Sequence, residues 1–212
     1  MVRCYKYLVP RHNKHYLLQL DPYIPKKAIT IVEYLIYKYH VNLKIVSERQ
    51  TKHGDYRRMS DGKTQITINN NLNQHQFLLT LIHEIAHQVT FQKFGRVQPH
   101  GKEWKTVFQH LMLPFLQPDI FPLSILPYLA NYLKNPKAST DSDVKLSLAL
   151  RGGMAKSGKS FIFEVPKGST FKFKQNFYKK GNKRRTRYEC LNIANQRIYL
   201  FNQNAEVQIL EE

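Results

Sequence analysis

The sequence predicts an α+β protein, with a domain over residues 1–150 that mixes helices and short strands and a small all-β module over 161–212. Three observations carry that expectation. Apolar residues recur at helical spacing over 73–93, directly after two stretches of strand-like alternation. The segment RGGMAKSGKS, 151–160, is rich in Gly, Ser and Lys and reads as a linker. Beyond it only short alternating runs remain, separated by turn residues. A chain of 212 residues buries a core without staples.

Each element has a local cause. Pro25 stands where a helix begins, and Ala28, Ile31, Val32, Leu35 and Ile36 follow at helical spacing, which predicts an amphipathic helix over 25–39. Val41 to Glu48 alternates and reads as a strand, followed by a charged, turn-like stretch from Thr51 to Arg58. In TQITIN, Thr64 to Asn69, Ile66 and Ile68 share one face while Gln65, Thr67 and Asn69 share the other, so a second strand is expected. Asn71 or Asn73 caps the next helix, 73–93, whose stripe of Leu78, Ile82, Ile85 and Val89 faces the core. Gly95 ends it. A loop to Gly101 leads into a short helix carrying Trp104, Val107, Phe108 and Leu111, which Pro114 stops. Residues 122–134 are apolar and partly helical, and a further helix is expected over 141–150. In the C-terminal module the predicted strands are Phe161 to Val165, Thr170 to Lys174, Arg187 to Leu191 and Arg197 to Asn202.

Charge narrows the class of partner. Lys and Arg number 33 against 15 Asp and Glu, a net +18, which favours a polyanion and nucleic acid first. Both parts share the excess: 20 basic and 10 acidic residues over 1–150, 13 and 5 over 151–212. No stretch reaches the length of a membrane-spanning helix. Cys4 and Cys190 are too few for a disulfide framework or a four-thiolate zinc site, and the N-terminus lacks the uninterrupted apolar core of a signal peptide, so a cytoplasmic protein is expected.

The chemistry lies in HEIAH, His83 to His87. One helical turn brings two imidazoles to one metal ion, and the intervening Glu84 reaches the water that would attack a peptide carbonyl. The pattern arises by chance in roughly one or two chains per hundred of this composition, so context has to decide. Here it falls on a helix predicted independently, with both histidines nearly opposite the apolar stripe. A catalytic zinc needs a third protein ligand and leaves a fourth position to water. His100, Glu103 and His110 downstream and His53 and His75 upstream are the candidates, and His100 is preferred because it sits on a loop before Gly101 where the chain can turn back.

With HGKEW, His100 to Trp104, the motif closely resembles the SprT-like zinc metallopeptidases, whose eukaryotic relative Spartan acts on proteins crosslinked to DNA. The resemblance also takes in GDYR, Gly54 to Arg57, and TQITIN, covering roughly residues 25 to 115. It implies a zincin-like fold, one zinc ion held by His83, His87 and His100, and Glu84 as the catalytic residue. Trp104 would support the loop by packing. One departure stands out: many relatives carry a zinc ribbon with two cysteine pairs after the protease domain, and this C-terminal module offers only Cys190. No second zinc is expected.

Two contact surfaces complete the reading. In KKGNKRRTR the cations Lys179, Lys180, Lys183, Arg184, Arg185 and Arg187 sit on a glycine-containing turn suited to phosphate contacts, with Tyr178 and Tyr188 flanking it. Gln65, Thr67 and Asn69 are expected on the solvent face of an edge strand to which an extended substrate adds. The expected activity is a DNA-associated endopeptidase acting on DNA-bound or DNA-crosslinked protein. The alternatives are a nucleic-acid-binding protein with a structural zinc, or a general cytosolic metallopeptidase. For the oxyanion donor Tyr56, Arg57 and His110 are open candidates.

Overall fold

A computed structural model describes residues 20–49, 51–152 and 158–210. Cys4, the N-terminal segment weighed as a leader and the middle of the 151–160 linker lie outside them. The chain divides into two compact units, 1–138 and 139–212, so the helix at its border belongs with the second unit instead of ending the first at residue 150.

The first unit joins a three-stranded sheet to four α-helices among the described residues. Lys26–Ala28 forms a 3-10 turn that runs into α1, Ile29–Tyr39. His40 ends α1 in the left-handed region, with φ 51°, its N–H bonding back to the last turn. Three strands follow: β1 is Leu43–Val46, β2 is Gly54–Arg58 and β3 is Thr64–Asn69, in the order β1-β3-β2, parallel for β1 and β3 and antiparallel for β2 and β3.

That order corrects two expectations. The charged stretch before Arg58 is a strand rather than a turn; its cations are held by Asp55, which pairs with Lys52 and Arg57 at 2.8 Å each. And β3 is the middle strand, flanked on both sides, so Gln65, Thr67 and Asn69 offer no free edge. Asn69 is buried and bound to the chain before β2: it accepts from Arg49 Nε at 2.9 Å and donates to the carbonyls of Arg49 and Lys52. Arg49 also donates to Thr67 Oγ1.

Helix α2, Gln74–Phe94, packs on β2 and β3 and is capped by Asn73, whose side chain accepts from the N–H of Gln76 at 3.0 Å. The expected stripe is buried, and Phe77, Leu79, Leu81 and Ala86 are buried as well, so α2 is a central helix enclosed on several faces. Buried Gln88 ties it to α1 by donating to the carbonyl of Tyr39 at 2.6 Å. Helix α3, Lys102–Met112, lies against α2, and α4, Leu126–Lys134, follows.

The second unit holds α5, Val144–Leu150, capped by Asp143, and a six-stranded sheet. Its strands are β4, Ser160–Phe161; β5, Thr170–Phe173; β6, Asn176–Arg184; β7, Arg187–Asn192; β8, Ile198–Asn202; and β9, Glu206–Ile209, in the order β4-β9-β5-β6-β7-β8. Ile162, Val165, Phe171, Tyr178, Cys190, Phe201 and Val207 make its core. Strands β6 and β9 are additions to the sequence reading, and the expected strand from Phe161 is cut short after that residue. The basic run is a hairpin whose arms pair Arg184 with Arg187, not an extended turn. A bulge between Lys180 and Lys183 fits because Gly181 has no side chain: a β-carbon there would stand 2.7 Å from the carbonyl oxygen of Glu189.

Lys180 is therefore not a surface cation. It shares a face with Tyr178, is 6% exposed, donates to the carbonyl of Val165 and lies 4.2 Å from the Tyr188 ring. Burial pushes its pKa down. Tyr178 is equally buried and is part of the core.

Candidate metal centre

His83 and His87 stand one turn apart on α2, and the loop after Gly95 returns His100 to them. The return needs a sharp bend, and His100 itself adopts φ 57°. Gly101 then bonds back to the carbonyl of Gln98 at 3.0 Å, and a β-carbon on Gly101 would stand 2.9 Å from that same oxygen. This is why the residue after His100 is glycine.

The three Nε2 atoms lie 3.1 Å (His83 to His100), 3.2 Å (His83 to His87) and 3.0 Å (His87 to His100) apart. Trp104, on the first turn of α3, packs against all three rings, with centroids 4.6 Å from His83, 4.7 Å from His100 and 5.3 Å from His87. Phe108 stacks beneath Trp104 at 4.9 Å. The indole is 1% exposed, so the rings are held by packing that cannot easily relax.

Electrostatics keep these imidazoles neutral. Burial, followed by the nearby His87 and His100, holds His83 well below the usual imidazole range. Burial and then His100 bring His87 down to about 4, and burial lowers His100. A neutral imidazole has one ring N–H, and three Nε2 atoms aimed at one another cannot all be satisfied by sharing protons. A cation between them resolves the conflict, and a set of three imidazoles suits zinc. The donor set thus fits a metal ion. Glu103, His110, His53 and His75, the other ligand candidates, are not in the cluster.

Glu84 is 7% exposed and projects toward β2. Its carboxyl is pushed up to about 8, first by burial and then by the charge of Asp55, against the Tyr56 N–H that donates to it and the more distant Lys52 and Arg49. Gly54 makes the approach possible: a β-carbon there would meet Thr80 Cγ2 at 2.7 Å and Glu84 Oε1 at 2.9 Å. The three histidines and Glu84 line one cavity of about 470 Å³, together with Gly54, Asp55, Tyr56, Phe91, Val97 and Pro99.

Gln65, Thr67 and Asn69 do not line this cavity. Of the three open oxyanion candidates, Tyr56 alone lines it; Arg57 pairs with Asp55, and His110 is exposed on α3. The sequence reading missed the cavity role of Gly54, and the signal for it was a glycine opening a strand of large, charged residues.

Residues 34–120 match the family model described as the SprT-like family. They form a SprT-like domain. The SprT-like stretch contains every residue of the histidine cluster and Glu84. Among curated relatives, Protein SprT of Klebsiella pneumoniae (strain 342) is 43% identical over 54 residues, 24% of this chain and 32% of the relative. Protein SprT of Yersinia enterocolitica is 44% identical over 41 residues, 19% and 24% of the two chains. Protein SprT of Glaesserella parasuis is 53% identical over 30 residues, 14% and 19%. The chain therefore matches less than a third of the length of these SprT relatives. No solved structure matches it.

Proposed function

We propose that this SprT-like chain is a zinc-dependent endopeptidase, zincin-like in its first unit, that works in the cytoplasm on DNA-bound or DNA-crosslinked proteins. The observation that carries the reading is the meeting of three imidazole Nε2 atoms within 3.2 Å beside the buried carboxyl of Glu84. A structural site has no use for a general base beside it.

His83, His87 and His100 would hold the ion. Zinc, when bound, supplies Lewis acidity and makes hydroxide available near neutral pH. Glu84, on the wall of the same cavity, takes the proton of the attacking water and returns it to the leaving amine. The Tyr56 N–H orients that carboxyl, and Trp104 fixes the rings and keeps water from their far side.

Strand addition belongs at β2 in this reading. β2 is an edge of its sheet, its first three residues line the cavity, and an extended substrate gains main-chain hydrogen bonds there with little regard to its sequence. The DNA association rests on the net charge of +18 and on the exposed cations Lys179, Lys183, Arg184, Arg185 and Arg187 of the hairpin.

The deciding experiment combines metal analysis with cleavage of a DNA-bound protein, with and without single-stranded DNA. Wild type should hold one zinc and cut, faster with DNA; Glu84→Gln should hold zinc and DNA yet not cut. A wild type that binds zinc and DNA but cuts nothing would leave a nucleic-acid-binding protein with a structural zinc.

A further inference from the structure

Strand β8 closes one side of the six-stranded sheet, and no strand lies beyond it among the described residues. Exposed sheet edges are usually blunted by lysine, proline or a bulge. β8, IYLFN, has none of these: it pairs with β7 without interruption from Ile198 to Asn202. Its register puts Leu191 beside Ile198 and Glu189 beside Leu200, on the face turned away from the core residues Cys190 and Phe201. There Ile198 is 65% exposed and Leu200 47%. An unblunted edge with an aliphatic stripe beside it has the form of an interaction surface.

The charge on that face says what kind of partner fits. The register places Lys179 next to Leu191, and Arg184 next to Arg187, which is next to Asn202 at the end of β8. Glu189 is the only acidic residue in strands β5 to β8, and it is already paired with Arg184 at 3.6 Å. A second copy of this chain would bring up another unit of the same sign, with 13 basic and 5 acidic residues over 151–212. Nucleic acid would find aliphatic Ile198 and Leu200 where stacking needs aromatic rings.

We infer that β8 docks an extended acidic peptide that adds as a further strand, its aliphatic side chains on Ile198 and Leu200 and its carboxylates toward Arg187. Main-chain bonds supply the attachment, the aliphatic pair sets the register, and the cations select acidic over basic segments.

The test uses the full chain and a fluorescein-labelled ten-residue peptide alternating glutamate with valine, followed by fluorescence anisotropy. Binding should weaken as salt rises, and Leu200→Glu and Ile198→Glu should each weaken it about tenfold. Unchanged melting temperatures for these exposed substitutions would tie the loss to the surface. If one variant melts early, the other decides. The inference is overturned if the peptide does not bind, if both variants bind it as wild type does, or if a lysine-valine peptide binds equally well. It is also overturned if Leu200→Glu abolishes binding of an oligothymidylate but not of the peptide, or if the chain is a dimer that Leu200→Glu dissociates.

Discussion

Gly54 and Glu84 are in such close apposition that a methyl group on the glycine would stand 2.9 Å from a carboxylate oxygen. Strand β2 and helix α2 therefore meet at a point where only hydrogen fits. Gly54→Ala should displace the Glu84 carboxyl and Thr80, destabilise the fold by about 1–3 kcal/mol and lower turnover far more than zinc content. Melting temperature, metal analysis and cleavage rate on one preparation check this, and normal turnover would mean that the close approach is unimportant.

The third imidazole comes from a strained loop. His100→Ala should reduce zinc affinity by more than the ~10–100-fold typical of losing a group behind a ligand. Competition with a chromogenic chelator measures it. His110→Ala, on the exposed side of α3, should leave affinity as it was.

The pH dependence of the chelated protein follows from two opposing shifts. The imidazoles sit below their ordinary range, His87 at about 4, so between about 4 and 6.5 the unfolded chain binds more protons and stability falls as pH drops. Glu84 is raised to about 8, so its contribution is fully present below its ordinary value and lost as pH rises through 8. With three imidazoles against one carboxyl, stability should peak near the upper end of the imidazole window. Denaturant titrations from pH 4 to 9 test the wild type, and Glu84→Gln should remove the decline on the alkaline side.

The hairpin separates two kinds of lysine. Lys183→Ala with Arg185→Ala should reduce the salt slope of single-stranded DNA binding by about 0.7 unit for each phosphate that the pair no longer neutralises. Lys180→Met should leave that slope unchanged, because its ammonium is buried against Tyr188 and the carbonyl of Val165. A slope that responds to Lys180 alone would contradict the inward orientation.

Legibility in the sequence tracked the locality of the cause. Helix α2 and its HEIAH motif could be read directly, since periodicity, cap and motif lie within one segment. The third ligand could not be fixed by spacing alone: a place on a loop before Gly101 favoured His100, the resemblance through HGKEW reinforced it, and only the fold brings its ring to the others. Strand β2 was hidden because Asp55, Arg57 and Arg58 look solvent-bound in sequence. In the fold Asp55 pairs with its neighbours and Arg58 lies over the Phe91 ring at 4.0 Å. Strand β6 was hidden in the same way: a buried lysine took the place that an apolar residue normally marks. The middle position of β3 depends on the pairing of β2, which cannot be recognised until β2 itself is.

His83 and His87 stand on a helix enclosed on several faces, whereas His100 rides on a loop and is only half-buried at the cavity, so an ion held there would leave by way of the loop while the helix stays intact. Metal exchange should then run faster than the slowest amide exchange in α2.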